Sequence, residues 1–168
     1  TPGGQRLVFA LNNITNGREL WVTDGTGAGT TLFKDINPGA GSADPGALAT
    51  VGGRVVFVAN DGTNGAELWA SDGTAAGTAM LVDAKSGAAG SAPELRGNLI
   101  VGGVVDPTRL LYLLDNGTNG TELWVTDGTT GGTSLFKDIN PGAGGATVSS
   151  WTAVNGRAVF IADNGTTG

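Results

Sequence analysis

A chain of 168 residues with 31 glycines, only 14% charged residues, no cysteine and no histidine is too rich in turn formers to be mainly helical. It carries no thiolate or imidazole for metal binding, disulfides or nucleophile-and-base catalysis, and its cysteine count leaves the redox compartment open. The formal net charge of −6 argues against nucleic acid or an anionic membrane surface as partner, and the longest apolar run, Leu110–Leu114, falls far short of the roughly 18 residues that span a bilayer. Apolar residues make up 39% of the chain in short regular clusters, which excludes disorder.

Along the chain the first strong feature is Glu19 to Thr26, Glu-Leu-Trp-Val-Thr-Asp-Gly-Thr, which returns unchanged as Glu122 to Thr129 and slightly altered as Glu67 to Thr74. The copies start at residues 19, 67 and 122, so they stand 48 and then 55 residues apart. A period near 48 suits one four-stranded propeller blade, and the chain holds about three and a quarter such units. They divide as 1–44, 45–92, 93–144 and an incomplete 145–168, forming one repeat array.

The second unit illustrates the local reading. Leu48–Val51 and Arg54–Ala59 are strands joined at Gly52-Gly53, Asn60–Gly65 is turn chemistry, and Glu67–Ser71 is a third strand. After the turn at Asp72-Gly73-Thr74, Thr78–Asp83 forms a fourth. The second strand is apolar on both faces, with Val55, Phe57 and Ala59 opposite Val56 and Val58, so both faces need cover. Neighbouring units stacked side by side supply it. No segment sustains a helical apolar period.

The third unit is seven residues longer, and the stretch Arg96–Thr108 places the extra length around its first hairpin, either as a longer surface turn or as a contact surface. The segment Leu32–Gly41 recurs as Leu135–Gly144, with Pro38 and Pro141 punctuating the passage between units. Counted from Arg6, the units hold three, four, four and two strands. The array is therefore expected not to close on itself, and its partners are expected to be other blades or other chains of a larger assembly.

Candidate chemistry is sparse. Trp21, Trp69 and Trp124, with Leu20, Leu68, Leu123, Phe57 and Phe160, read as the repeated core, because a large aromatic at one strand position of every unit is what repeated packing produces. The alternative is a glycan platform, for which Trp151, out of register with the other tryptophans, and the loop residues Asp61, Asn116 and Asn164 are the candidates. Asp24, Asp72 and Asp127 open Asp-Gly-Thr turns. Turn formation accounts for them, and weak calcium binding is the alternative, since each loop offers about one carboxylate where calcium wants six to eight oxygens. Glu19, Glu67 and Glu122 recur as well, and repetition favours a structural hydrogen bond over three copies of a catalytic acid. Every prominent acid belongs to the repeat, whereas an active site would break it, so no enzyme and no cofactor are expected. Asn13, Asn116, Asn119 and Asn164 fall in Asn-x-Ser/Thr sequons, which arise readily in turns of this composition.

The twelve-residue pattern Glu-Leu-Trp-x-x-Asp-Gly-Thr-x-x-Gly-Thr, at 19–30, 67–78 and 122–133, resembles the bacterial family known by its ELWxxDGT repeat. The Lys-Asp-Ile-x-Pro-Gly stretches and the Asn/Asp-Gly-Thr lead-ins are similar to that family too. The resemblance implies propeller-like repeats in large secreted or cell-surface bacterial proteins, with no established activity and no catalytic residues to carry over. The middle unit departs from the pattern, with Ala84-Lys85-Ser86 where the others have Ile-Asn-Pro.

Overall fold

The computed structural model describes residues 6–101, 104–154 and 157–166, and the side chains of 97–101, 104, 105, 151, 153 and 158 lie outside the description. The described chain is all β. Thirteen strands form four antiparallel sheets, each built from consecutive segments.

Sheet 1 contains β1 (Leu7–Asn13), β2 (Gly17–Thr23) and β3 (Thr31–Lys34). Sheet 2 contains β4 (Gly46–Val51), β5 (Arg54–Asn60), β6 (Ala66–Ser71) and β7 (Ala79–Val82). Sheet 3 contains β8 (Glu94–Val101), β9 (Val104–Asp115), β10 (Thr121–Thr126) and β11 (Ser134–Lys137), and sheet 4 contains β12 (Thr147–Val154) and β13 (Arg157–Asp163). Each is a simple meander, because tight Gly-, Asn- and Asp-rich turns join only antiparallel neighbours. Among the described residues no pairing links sheet 1 to sheet 4.

Registers repeat across the sheets. Trp21 lies opposite Phe9 on one side and Leu32 on the other, Trp69 opposite Phe57 and Met80, and Trp124 opposite Tyr112 and Leu135. In all three a β-bulge falls between the motif Leu and Trp where the last strand joins. The bulge increases local twist, so the short last strand swings toward the connector that leads to the next sheet.

The sheets stack face to face in chain order. Leu20, Val8 and Phe33 of sheet 1 pack with Phe57, Ala59 and Trp69 of sheet 2. The opposite face of sheet 2, with Val56, Leu68, Ala70 and Leu81, packs with Leu110, Tyr112 and Leu114 of sheet 3. Leu111, Leu113 and Leu123 on the far face of sheet 3 pack with Val148, Phe160 and Ala162 of sheet 4. Alternation along β5 and β9 thus feeds two different cores, which is why the segments Val55–Ala59 and Leu110–Leu114 are apolar at every position. Leu20, Leu68, Leu123 and Phe57 are buried, and Phe160 is half-buried against the last core.

The seven extra residues of the third unit are taken up in strand rather than in a turn. β9 is 12 residues long against 7 for β5, and it pairs with an 8-residue β8. The register shifts between Asn98 and Leu99, opposite the segment that contains Pro107. A proline cannot donate to the ladder, so a bulge is where a strand tolerates one. Pro107 O in turn accepts the Gly52 N–H at 3.0 Å, tying the extended hairpin to the β4–β5 turn of sheet 2.

Candidate functional site

The recurring glutamates are the most buried acids of the molecule: Glu19, Glu67 and Glu122 are each 0% exposed. Their carboxylates face the connector that leaves one sheet for the next. Glu19 accepts the N–H groups of Ile36 at 2.8 Å, Asn37 at 3.2 Å and Ala43 at 3.0 Å. Glu122 accepts those of Ile139 at 2.6 Å, Asn140 at 3.2 Å and Ala146 at 3.2 Å. Glu67 accepts Ala84 N–H at 3.4 Å and Ser91 N–H at 2.8 Å, and the Ser91 hydroxyl donates to its other oxygen. A carboxylate is acceptor only and presents two oxygens, so one Glu binds both the entry and the exit of a connector whose backbone donors no strand can satisfy.

The electrostatics follow from that burial. Desolvation pushes the Glu19 carboxyl above its ordinary range against the opposing pull of its three N–H donors. Burial likewise raises Glu67, although the Ser91 hydroxyl and the connector amides pull it back. Ser91 stands where the other connectors carry Ala43 and Ala146, and its hydroxyl can also accept the proton of a neutral Glu67. Burial, with the nearby Glu67 adding to it, raises the phenol of Tyr112, whose buried OH has no partner among the described residues.

The Asp-Gly-Thr-x-x-Gly-Thr turn is equally self-contained. Asp72 Oδ1 accepts both the N–H and the hydroxyl of Thr74, at 2.9 and 2.7 Å, and Thr74 Oγ1 accepts the Gly77 N–H at 2.9 Å. Thr78 donates its hydroxyl to Thr74 O at 2.7 Å and shares a 2.7 Å hydroxyl pair with Ser71. The same network is built on Asp24 and on Asp127. A Cβ on Gly77 would lie 2.1 Å from the Asp72 carboxylate, and Gly29 and Gly132 stand in the same relation to Asp24 and Asp127, so glycine is required there by space rather than by φ. The Thr bonds hold the Asp24, Asp72 and Asp127 carboxyls below the usual range. Among the described residues no group of three acidic side chains converges as a metal site.

Trp69 is buried between sheets 1 and 2, Trp124 is half-buried against the core between sheets 2 and 3, and Trp21 is half-buried on sheet 1. The indole N–H of all three is buried and has no acceptor among the described residues, so the contacts that hold these rings there are packing contacts. Tyr112 stacks at a tilt on Trp124 with ring centroids 6.4 Å apart.

The loop candidates Asp61, Asn116 and Asn164 occupy one turn position in three successive units. Asp61 Oδ1 caps Thr63 and Asn64 N–H, Asn116 Oδ1 caps Thr118 and Asn119, and Asn164 Oδ1 accepts from Thr166. Trp151 lies in β12 beside the register shift between Ser149 and Thr152, and its side chain falls outside the description.

Comparison with models of protein families, with curated proteins and with solved structures finds no match. The site must be read from its own geometry.

Two residues that sequence reasoning passed over complete it. Lys85, in the middle unit's departure from the pattern, reaches the next sheet and pairs with Asp115 at 2.5 Å. At the equivalent position Asn37 lies against Gly62 and Asn140 against Gly165, where an added Cβ would come within 2.5 Å of the amide oxygen. Lys85 stands where the other two connectors carry Asn37 and Asn140, and Asp115 where the second unit carries Asn60, so each charge is a departure from the repeat but neither signals the pair by itself. A groove of about 390 Å³ between sheets 3 and 4 is lined by Leu113, Thr121, Gly145, Ala146 and the paired Glu94 and Arg96.

Proposed function

We propose that the chain is a non-catalytic scaffold or protein-interaction module built from propeller-type blades, of the kind its ELWxxDGT pattern implies for bacterial secreted or cell-surface proteins. One observation carries the reading: the recurrent acids that would serve catalysis or metal binding are committed to their own backbone. Glu19, Glu67 and Glu122 are sealed inside the connectors, and Asp24, Asp72 and Asp127 are bonded to the threonines of their own turns. A general acid or base must reach a substrate proton: the three glutamates are shut away from one, and the aspartates are held ionised below the usual range by their threonines. Face-to-face sheets with a single register per unit are what a propeller needs, and completion of the ring by other blades or chains belongs to this proposal.

Glycan-array screening of the 168-residue chain tests the reading against a lectin-like one. The expected result is no saturable binding, because Trp69 and Trp124 are packed between sheets and the loop amides are used as turn caps. Saturable binding of one sugar class that is lost in Trp151→Ala would replace the scaffold with a carbohydrate-binding module.

A further inference from the structure

Three successive interfaces in this molecule are made the same way. The face of one sheet that carries the Val56/Val58 series covers the face of the next that carries the Phe/Tyr and Trp series. In sheet 3 both faces are covered: Leu110 and Leu114 lie beneath sheet 2 at 1% and 0% exposure, and Leu111 and Leu113 lie beneath sheet 4 at 1% and 4%.

The two ends of the stack carry the same residues uncovered. Counting from the Phe9–Trp21 and Tyr112–Trp124 pairs, Leu7 and Leu11 of sheet 1 are the equivalents of Leu110 and Leu114. They are 64% and 38% exposed, and alternation puts them on one face with Phe9 and Trp21, opposite the face that meets sheet 2. At the other end, Asp163 caps Gly165 N–H as Asp115 caps Gly117, which makes Val159 and Ile161 the equivalents of Leu111 and Leu113. They are 49% and 65% exposed, opposite the face through which Phe160 and Ala162 pack on sheet 3.

We infer that these end faces are the two halves of one more interface of the same kind, and that a second copy of this chain occupies them head to tail: the Val159/Ile161 face of one copy covers the Leu7/Phe9/Leu11/Trp21 face of the next. The inference rests on the interaction-module reading and names its partner. Continuity with the three existing interfaces selects a second copy. Each end offers the half that the other lacks, and neither offers a half that fits itself. Such a contact is heterologous, so it propagates into a ring or a chain rather than stopping at a two-fold dimer.

Sedimentation velocity of the 168-residue chain and of Leu11→Lys and Ile161→Lys tests this, with circular dichroism and thermal melts confirming that each variant folds. Both substitutions are on exposed strand positions, where a lysine is accepted by the fold and blocks an apolar contact. The wild-type chain is expected to associate with concentration, and each variant alone to sediment as a monomer. An equimolar mixture of the two is expected to form one species of twice the monomer mass, because one copy keeps the intact first face and the other the intact last face. A wild-type monomer throughout the micromolar range overturns the inference. So does association that one variant leaves intact, which would mark a face pairing with itself, and so does a mixture that stays monomeric. Glycan binding is read independently, so loss of the scaffold reading and loss of head-to-tail docking give different results.

Discussion

At the residue scale, the twelve-residue motif is a packing instruction in which nearly every letter has a physical duty. Leu fills an inter-sheet core, Glu gathers connector amides, and Asp, Thr and Gly close a turn that leaves no room for a Cβ. Gly77→Ala is therefore expected to destabilise the chain by about 2 kcal/mol, the order for overpacking a site that cannot relax. The added methyl meets a carboxylate locked by two bonds to Thr74. In a double-mutant cycle with Asp72→Ala, urea unfolding should give a double variant less destabilised than the two single losses summed; simple additivity would show that the close approach is not the cause.

The two acid classes also oppose each other in pH. The depressed carboxyls of Asp24, Asp72 and Asp127 favour the folded state above the ordinary Asp range and lose that contribution as pH falls through their lowered values. The raised carboxyls of Glu19 and Glu67 act the other way. Their folded forms hold the proton longer, so their contribution is fully present below the unfolded Glu value and is lost as pH rises through the raised one. Thermal melts from acid to neutral pH should show Asp72→Asn flattening the acid limb and Glu67→Gln flattening the decline above it; the opposite assignment of the two limbs would refute the shifts.

At the element scale, the strands were legible because β-branched and aromatic runs alternate with turn residues, and the two-faced apolarity of Arg54–Ala59 announced cover on both sides. The insertion in the third unit was not legible as strand. Asp106, Pro107 and Thr108 carry turn chemistry, yet a bulge absorbs them within a continued ladder, and tertiary contact with Gly52 overrides local preference. The middle connector was legible only as a departure, because a lysine in a loop signals nothing until its partner 30 residues on is brought beside it. Lys85 and Asp115 are each about one-third exposed, so the pair contributes modestly. Asp115→Asn alone is expected to destabilise by about 0.5–1 kcal/mol. Adding Lys85→Asn, which restores the residue of the other two connectors, should recover part of that loss in urea unfolding; no recovery would mean that the two positions do not act together.

At the scale of the whole molecule, the repeat period announced how much chain one unit contains, and the four sheets follow it in order. The strand count carried the expectation of an open array, whereas the period by itself says nothing of ring closure, because it specifies the contents of a unit and not the rotation between units. The buried glutamates were legible as structural from their repetition, but not as ties between neighbouring sheets, since their partners are backbone amides that lie 17 to 24 residues away and carry no side-chain signature.

The central claim is that each recurrent glutamate couples one sheet to the next in a quasi-one-dimensional stack. Native-state hydrogen exchange on Glu122→Gln measures this directly. The substitution turns one acceptor toward an N–H donor as a second donor, at a net loss of about 2 kcal/mol. The amides of β12 and β13 should exchange about 30-fold faster, the equivalent of that free energy, while those of β4–β7 keep their wild-type protection. Uniform loss of protection across all four sheets, or none in sheet 4, would contradict the account.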